Sequence, residues 1–165
     1  MTGLASRAEL ERQITLALVR ARRDARAIAI LYIDLDGFKP VNDRYGHDVG
    51  DTVLKAVAQR LASSVRSGDV VARFGGDEFV VVAEGLPSEA QARELGQKLL
   101  ETFHSPLVLG GEDCGVSATL GYALAPIDAA EARDLVKAAD AAMYLGKQEG
   151  KDRAVRYGRI AAAAE

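Results

Sequence analysis

Four acidic residues, at two separate places in the chain, have the types and spacing of a metal-binding site. Asp34 lies near the end of the apolar run 27–35 and Asp36 directly follows that run, and strand alternation directs both to one face. Asp77 and Glu78 occupy the tip of a tight turn between two apolar runs. If these runs pair beside the first strand, the carboxylates converge and repel one another unless a cation or a proton lies between them. Such oxygen ligands favour Mg²⁺ or Mn²⁺ over zinc and leave coordination positions for substrate phosphates.

Three lysines complete the parts of a phosphoryl-transfer site. Lys39 follows the first strand, and Lys147 and Lys151 are spaced i, i+4, so they share a face if the last long helix extends that far. Carboxylates with separate lysines are the components of metal-assisted phosphoryl transfer. Taken singly, each of these residues is more often a solvated surface group. A plain hairpin turn needs only Asn-Gly or Gly-Asp, however, so two adjacent acids there favour the functional interpretation.

The sequence pattern predicts that helices and strands alternate along the chain and hold these residues in place. Apolar periodicity predicts helices at 4–26, 53–65, 88–103 and 135–143, a strand at 27–35, hairpins at 69–83 and 106–124, and a final strand at 153–157. The polar segment 36–51 contains Pro40, Gly46 and Gly50 and is predicted as a loop. Strands joined by hairpins and crossed by helices predict an α+β sandwich, with helices around a mostly antiparallel sheet.

Composition narrows the class of protein. The chain has 165 residues, 48% of them hydrophobic, which suits one soluble domain, and no apolar run is long enough to span a membrane. The polar N-terminus does not resemble a signal peptide, and the single cysteine, Cys114, suits a reducing compartment, so a cytoplasmic location is expected. A net charge of −3 argues against nucleic-acid binding, and two histidines argue against a histidine metal cluster.

The motifs and their order resemble those of one family. "RFGGDEF" at 73–79 resembles the signature turn of the GGDEF family, the diguanylate cyclase domains. "DLDGFKPVNDRYGHDVGD" at 34–51 matches the family's long polar motif, and "TGLASR", "SATLGYA" and "ADAAMYLGKQEGKDR" are similar to its other segments. The resemblance covers essentially residues 1–165 as a single domain. It implies a ferredoxin-like, nucleotidyl cyclase-like sandwich with a signature β-hairpin, which joins two GTP molecules into cyclic di-GMP and releases two pyrophosphates.

The resemblance also implies roles for individual residues. Asp34, Asp77 and the carbonyl of Leu35 would bind the metal ions, and Glu78 would assist the attacking 3′-hydroxyl, so Asp77 and Glu78 are the expected catalytic acids. Guanine, whose N1–H and amino group are donors, would be read by Asn42 and Asp51. The remaining substrate contacts would come from Phe38, Lys39, Gly75, Gly76, Lys147 and Lys151.

A second ligand site is implied by "RSGD" at 66–69. In relatives with this R-x-x-D motif, cyclic di-GMP binds there and inhibits the enzyme, so Arg66 and Asp69 are expected to form an inhibitory site, with Arg73 beside them. The alternative is an ordinary helix-end arginine and turn aspartate, with Arg73 pairing across the hairpin. Lys151 and Gly146 depart from the arginine and alanine that the family often has. Lysine keeps the charge without the bidentate fork, and glycine weakens a helix by about 1 kcal/mol.

The two-fold symmetric product implies that two domains face each other, so a homodimer is expected to be needed for turnover. The domain is expected to be a piece of a longer signalling protein and to be mostly monomeric and slow when isolated. The alternative is a regulatory module that binds GTP or cyclic di-GMP and controls an attached domain, such as a phosphodiesterase, without turnover. A polymerase-like enzyme on another substrate shares the metal chemistry but is disfavoured by the guanine-reading pair.

Overall fold

A computed structural model describes residues 4–158 and 160, which form helices around a central five-stranded sheet. The elements are α1 (Arg7–Asp24), β1 (Ala27–Asp36), α2 (Phe38–Tyr45), α3 (His47–Ser64), β2 (Val70–Gly75), β3 (Glu78–Leu86), α4 (Glu89–Glu101), β4 (Val108–Leu109), β5 (Glu112–Asp113), β6 (Ser117–Ala125), α5 (Ala132–Gln148) and β7 (Ala154–Arg156). The strand order is β2-β3-β1-β6-β7, and only the β6–β7 pair is parallel. The predicted α+β fold with a mostly antiparallel sheet is confirmed.

The central strand β1 is covered on both faces, which explains its continuous apolar sequence. Alternate residues such as Leu31 and Ile33 pack in a core with α2, α3 and α4. The residues between them, such as Ile30 and Tyr32, pack in a second core with α1 and α5. Because Asp34 continues the second series, its side chain lies on the face covered by α1 and α5.

Helix α5 approaches the sheet closely because glycines occupy the contact. A Cβ atom at Gly121 of β6 would lie 2.1 Å from the backbone N of Met143 and 2.3 Å from the carbonyl O of Ala139. At Gly146 of α5, a Cβ atom would lie 2.7 Å from Cγ2 of Thr119. The helix stability that alanine would add at this position is therefore opposed by a steric clash with β6. The close approach brings the C-terminal end of α5 next to the end of β1.

The segment 36–51 differs from its prediction as a loop. It contains α2 and the first turn of α3, separated by Gly46 with φ +87°. Pro40 lies in the first turn of α2, where a missing N–H breaks no helical hydrogen bond, so it does not act as a breaker there. The prediction of a loop was wrong because proline and glycine mark the helix start and end rather than its absence.

The second predicted hairpin is also different in the structure. Strands β4 and β5 form a separate two-stranded sheet around the turn at 110–111. The rest of the predicted hairpin is β6, which pairs with β1 from Ile28↔Ala125 to Asp36↔Ser117. The predicted partner of β6 was therefore wrong, since its partner lies about 90 residues earlier in the chain.

Candidate active site

Acidic residues from β1 and from the β2–β3 turn meet at one end of the central sheet. Asp34 of β1 lies directly opposite Glu78 of β3 in the antiparallel register. The backbone N–H of Leu35 donates to the carbonyl of Asp77 at 3.2 Å, which joins the turn to β1. The two pairs of acids that the sequence separates by about 40 residues therefore face one small region.

The electrostatics of Asp34 show that this region is crowded with negative charge. Burial raises the pKa of Asp34, the hydrogen bond and charge of Lys147 act to lower it, and the charges of Asp77 and Glu78 add to the rise. The net effect is a raised pKa, so a carboxylate at Asp34 is less stable here than in water. A cation bound at this carboxylate would remove that penalty.

The ammonium group of Lys147 is surrounded by the oxygen atoms of β1. It lies 3.1 Å from Asp34 Oδ1 and 2.5 Å from Asp36 Oδ1. It also donates to the carbonyl oxygens of Asp34 at 3.4 Å and Leu35 at 3.3 Å. Burial acts to lower the pKa of Lys147, but hydrogen bonds to the Asp36 and Asp34 carboxylates outweigh it and raise the pKa.

The same oxygen atoms have the chemistry of a site for a hard divalent cation, since Mg²⁺ and Mn²⁺ prefer carboxylate and carbonyl oxygens. The Lys147 ammonium shows that this group of oxygens already binds one positive charge. Within residues 4–158 and 160, no three His, Cys, Asp or Glu side chains are close enough to hold a metal ion by themselves. A metal ion would therefore need the Leu35 carbonyl and oxygens of the substrate in addition to Asp34 and Asp77.

Asp36 has a different set of partners, which the sequence interpretation did not include. It is 6% exposed and accepts hydrogen bonds from Thr119 Oγ1 at 2.8 Å, Ser117 Oγ at 3.3 Å and the backbone N–H of Asp152 at 3.2 Å. Together with Lys147, these donors join β1, β6 and the chain after α5. Strand alternation placed Asp36 on the face of Asp34, but it could not indicate these partners, which lie 81 to 116 residues away in the chain.

The side chain of Asn42 lies between α2 and α3. Its Oδ1 atom is buried without a hydrogen-bond partner, the one such side-chain atom in the part of the chain that the structure describes. A Cβ atom at Gly50 would lie 1.8 Å from this oxygen, so only glycine leaves room for it. Asp51, the residue after Gly50 in α3, is exposed. At the start of α2, Phe38 is 7% exposed and Lys39 next to it is exposed. An unpaired buried acceptor beside an exposed carboxylate suits a ligand with several donors.

The glycines of the signature turn are explained by the space that the Glu78 carboxylate needs and not by an unusual backbone conformation. Neither Gly75 nor Gly76 adopts a positive φ. A Cβ atom at Gly75 would lie 3.1 Å from Oε2 of Glu78, whereas at Gly76 it would meet nothing within 4 Å. Arg73 braces the turn because its Nε donates to the carbonyl of Gly76 at 2.9 Å.

Lys151 is separated from Lys147 by the end of the helix. Helix α5 ends at Gln148, and Lys151 has φ +64°, with its N–H donating to the carbonyl of Gly146 at 3.0 Å. The two lysines therefore do not share a helix face, because the condition for that prediction is not met. Lys151 is exposed, so its side chain is accessible to a ligand at this end of the sheet.

The proposed second site lies at the other end of β2. The carboxylate of Asp69 is 2% exposed and accepts from the backbone N–H of Arg66 at 3.0 Å. The Arg66 side chain is 60% exposed and donates to the carbonyl of Glu84 at 2.8 Å. Arg66 is thus accessible to a ligand, whereas Asp69 closes the turn, and Arg73 contacts the signature turn instead of this one.

A family comparison agrees with this arrangement of residues. The family profile described as "Diguanylate cyclase, GGDEF domain" matches residues 1–153. The chain belongs to the GGDEF domain family. The predicted membership is therefore confirmed, and with it the coarse assignment to the nucleotidyl cyclases of cyclic di-GMP signalling.

Three of the similar curated proteins come from Pseudomonas aeruginosa. The chain is 41% identical over 152 residues to MucR, a bifunctional diguanylate cyclase/cyclic di-GMP phosphodiesterase, 36% identical over 159 residues to the cyclic di-GMP phosphodiesterase NbdA, and 39% identical over 152 residues to the diguanylate cyclase TpbB. These alignments cover 92%, 96% and 92% of this chain. The chain spans only 22% of MucR, 20% of NbdA and 35% of TpbB.

Solved structures show the same fold. The GGDEF domain of TpbB (YfiN) from Pseudomonas aeruginosa superimposes with a TM-score of 0.91 at 38% identity, covering 94% of this chain and 98% of that one. The GGDEF domain of DgcB from Caulobacter crescentus, solved in complex with c-di-GMP, gives a TM-score of 0.83 at 26% identity, covering 94% and 92% of the two chains. Among the residues that the structure describes, each helix is too short or too polar to span a bilayer.

Proposed function

We propose that this GGDEF domain is an active diguanylate cyclase that condenses two GTP molecules into cyclic di-GMP with Mg²⁺ or Mn²⁺. The observation that carries the proposal is the placement of Asp34 opposite Glu78, beside a group of oxygens that already binds the Lys147 ammonium. The same end of the sheet carries the signature turn with both acids. Diguanylate cyclase relatives at 39% to 41% identity support the assignment.

GTP would bind with guanine between α2 and α3 and its phosphates near β1. The Asn42 carbonyl oxygen, which has no partner, would accept from guanine, and Asp51 would accept from its N1–H and amino group. The phosphates would be bound by the backbone at Phe38, by Lys39 and by the lysines that follow. Gly75 and Gly76 would leave room for the ribose and the α-phosphate.

Asp34, the Leu35 carbonyl and Asp77 would hold the metal, which supplies charge neutralisation at the phosphates. Glu78 would accept the proton of the 3′-hydroxyl. The hydroxyl oxygen would then bond to the α-phosphorus of the other GTP as the bond to the β-phosphate oxygen breaks and pyrophosphate leaves. Lys147 would exchange its contacts with β1 oxygens for contacts with the phosphates, and Lys151 would add charge beside it.

Turnover requires two domains, because each site would position one GTP and the product has two-fold symmetry. The rate per domain is therefore expected to rise with protein concentration. Product inhibition would act through Arg66, which is exposed in the turn that precedes β2, with Asp69 shaping that turn. Arg73, which holds the signature turn, would connect this region to the active site. A cytoplasmic location is part of the proposal, since GTP is available there.

The second candidate function is a regulatory module. It is favoured by the 36% identity to NbdA, named as a phosphodiesterase, and by the small share of the relatives that this chain spans. In that case the same pocket would bind GTP, or Arg66 would bind cyclic di-GMP, and an attached domain would respond.

The two functions are separated by incubating the domain at high concentration with GTP and Mg²⁺ and detecting cyclic di-GMP by mass spectrometry. The variant is Glu78→Ala, and the matched control is Glu94→Ala, an exposed acid on α4. We expect product from the parent and the control and none from Glu78→Ala. GTP binding without product, including in a version dimerised by a fused coiled coil, would favour the regulatory module.

A further inference from the structure

Tyr32 is a buried tyrosine on the strand that carries the proposed metal ligands. It precedes Asp34 by two residues, so both side chains lie on the face of β1 that α1 and α5 cover. It is 4% exposed. In the register it pairs with Val80, which makes Glu78 its diagonal neighbour on the same face, within reach of a long side chain.

The ring of Tyr32 is held in place by a layer of contacts. Phe74 of β2 packs its ring at 5.5 Å and 73°, edge to face. The guanidinium of Arg7, the first residue of α1, lies 4.4 Å from the centre of the Phe74 ring. A ring fixed in this way holds its hydroxyl at one position at the edge of the acid region.

The hydroxyl of Tyr32 faces acids. Burial first, then the charge of Glu78 and of Asp140 on α5 and a hydrogen bond with Glu78, raise the pKa of Tyr32, with Asp34 adding a smaller effect. A neutral phenol can only donate to a carboxylate, so the hydroxyl of Tyr32 is a donor within reach of Glu78, its diagonal neighbour. The Oε2 atom of Glu78 lies beside Gly75, where a Cβ atom would be 3.1 Å away from it.

From this geometry we infer that Tyr32 is a positioning residue, whose hydroxyl orients the Glu78 carboxylate toward the attacking 3′-hydroxyl. The inference deepens the proposed cyclase function and rests on it. Glu78 has no ion-pair partner within 4.0 Å among the described residues, so the phenol and the open space at Gly75 are what select its orientation. Phenylalanine would fill the same volume without this hydrogen bond.

The matched pair of variants is Tyr32→Phe and Tyr122→Phe. Tyr122 is also 4% exposed, but it lies on β6 and on the opposite face of the sheet, in the core with α4. Each substitution removes one hydroxyl from a buried ring. We expect Tyr32→Phe to lower kcat about tenfold, as loss of a hydrogen bond to a charged group does, with KM for GTP and the unfolding midpoint close to those of the parent. Tyr122→Phe should leave kcat unchanged.

An unchanged kcat in Tyr32→Phe would overturn the inference. So would a raised KM at constant kcat, or equal losses in the two variants, because these outcomes indicate binding or general packing. A large fall in the unfolding midpoint of Tyr32→Phe would also count against it.

A second measurement does not depend on turnover. In protein with ¹³C-labelled tyrosine rings, the Cζ resonance absent from Tyr32→Phe belongs to Tyr32. We expect Glu78→Gln to shift it and Glu84→Gln, on the same strand but paired with Arg20, to leave it in place. No shift with Glu78→Gln would overturn the inference. If Glu78→Gln shifts the Tyr32 resonance but the parent protein makes no cyclic di-GMP, the contact is supported and the proposed reaction is overturned.

Discussion

The two turns that flank β2 both carry acidic side chains, and the carboxylates have different partners. In the turn at 66–69, Asp69 is 2% exposed and accepts from the backbone N–H of Arg66 in its own turn. In the turn at 75–78, Asp77 and Glu78 are half-buried, and their charges act on Asp34 of β1. An acid that binds its own turn contributes mainly to folding. An acid held away from its own turn, opposite Asp34, is available for chemistry.

The largest effect on activity is expected at Asp34, which lies opposite the signature turn, and it tests the difference between the two turns. Asp34→Asn keeps the shape of the side chain and removes the charge of a proposed metal ligand. We expect cyclic di-GMP formation to fall by about 10³-fold or more, since electrostatic stabilisation supplies much of such a rate. Product is measured by mass spectrometry beside Asp113→Asn, an exposed aspartate of β5, as the control. Comparable rates in the parent and Asp34→Asn would remove Asp34 from the reaction.

The opposite behaviour is expected at Asp69. Asp69→Ala leaves the backbone N–H of Arg66 without its charged acceptor, and we expect the free energy of unfolding to fall by about 1–3 kcal/mol. Asp69→Asn keeps one acceptor oxygen, so its loss should be smaller. Chemical denaturation measures both. If Asp69→Ala unfolds like the parent while sensitivity to added cyclic di-GMP is lost, Asp69 reads the ligand and the two turns are alike.

Glycines give a finer comparison of the same two turns. At Gly75, a Cβ atom would press on the Glu78 carboxylate at 3.1 Å, whereas at Gly68 it would meet nothing within 4 Å. We expect Gly75→Ala to lower kcat several-fold, by displacing that carboxylate, with little change in stability. Gly68→Ala should change neither, apart from a stabilisation of about 0.5 kcal/mol through the unfolded state. Steady-state kinetics and thermal unfolding measure the pair, and equal kinetic effects would contradict the assigned difference.

The smallest effect concerns pH. The raised pKa of Asp34 means that the folded state favours the protonated acid, so this group contributes most stability at low pH. That contribution is lost as pH rises from the ordinary aspartate range, near 3.8, through the folded pKa. Without metal, we expect Asp34→Asn to gain stability relative to the parent across this interval. A difference between the two proteins that does not vary with pH would contradict the raised pKa.

Part of the acid region was predictable because it follows from short-range sequence patterns. Strand alternation placed Asp34 and Asp36 on one face, and the hairpin at 69–83 was expected from its turn residues. The pairing of that hairpin with β1, which the sequence left as a condition, is shown by the register. The helix α2 was missed because Pro40 and Gly46 were interpreted as breakers when they mark its first turn and its end. The expected shared face of Lys147 and Lys151 failed because α5 ends at Gln148.

Other features depend on contacts that no local pattern encodes. The network around Asp36 joins it to Thr119 and to the backbone of Asp152, 83 and 116 residues away in the chain. The position of Lys147 beside Asp34 depends on a glycine in β6 that lets α5 approach the sheet. The hydroxyl of Tyr32 acquires its acidic neighbours only when β3 and α5 are in place.

The α+β class, the two faces of β1, the signature hairpin and membership of the GGDEF family could all be predicted from the amino-acid sequence. These follow from side-chain periodicity and motif spacing, which a short stretch of chain carries alone. Three features emerge only in the folded chain: the pairing of β6 with β1, the contacts of Lys147 with the oxygens of Asp34 and Leu35, and the burial of the Asp69 carboxylate. The physical reason is that burial and partner choice arise when distant segments pack together, and packing selects among the pairings that local patterns allow.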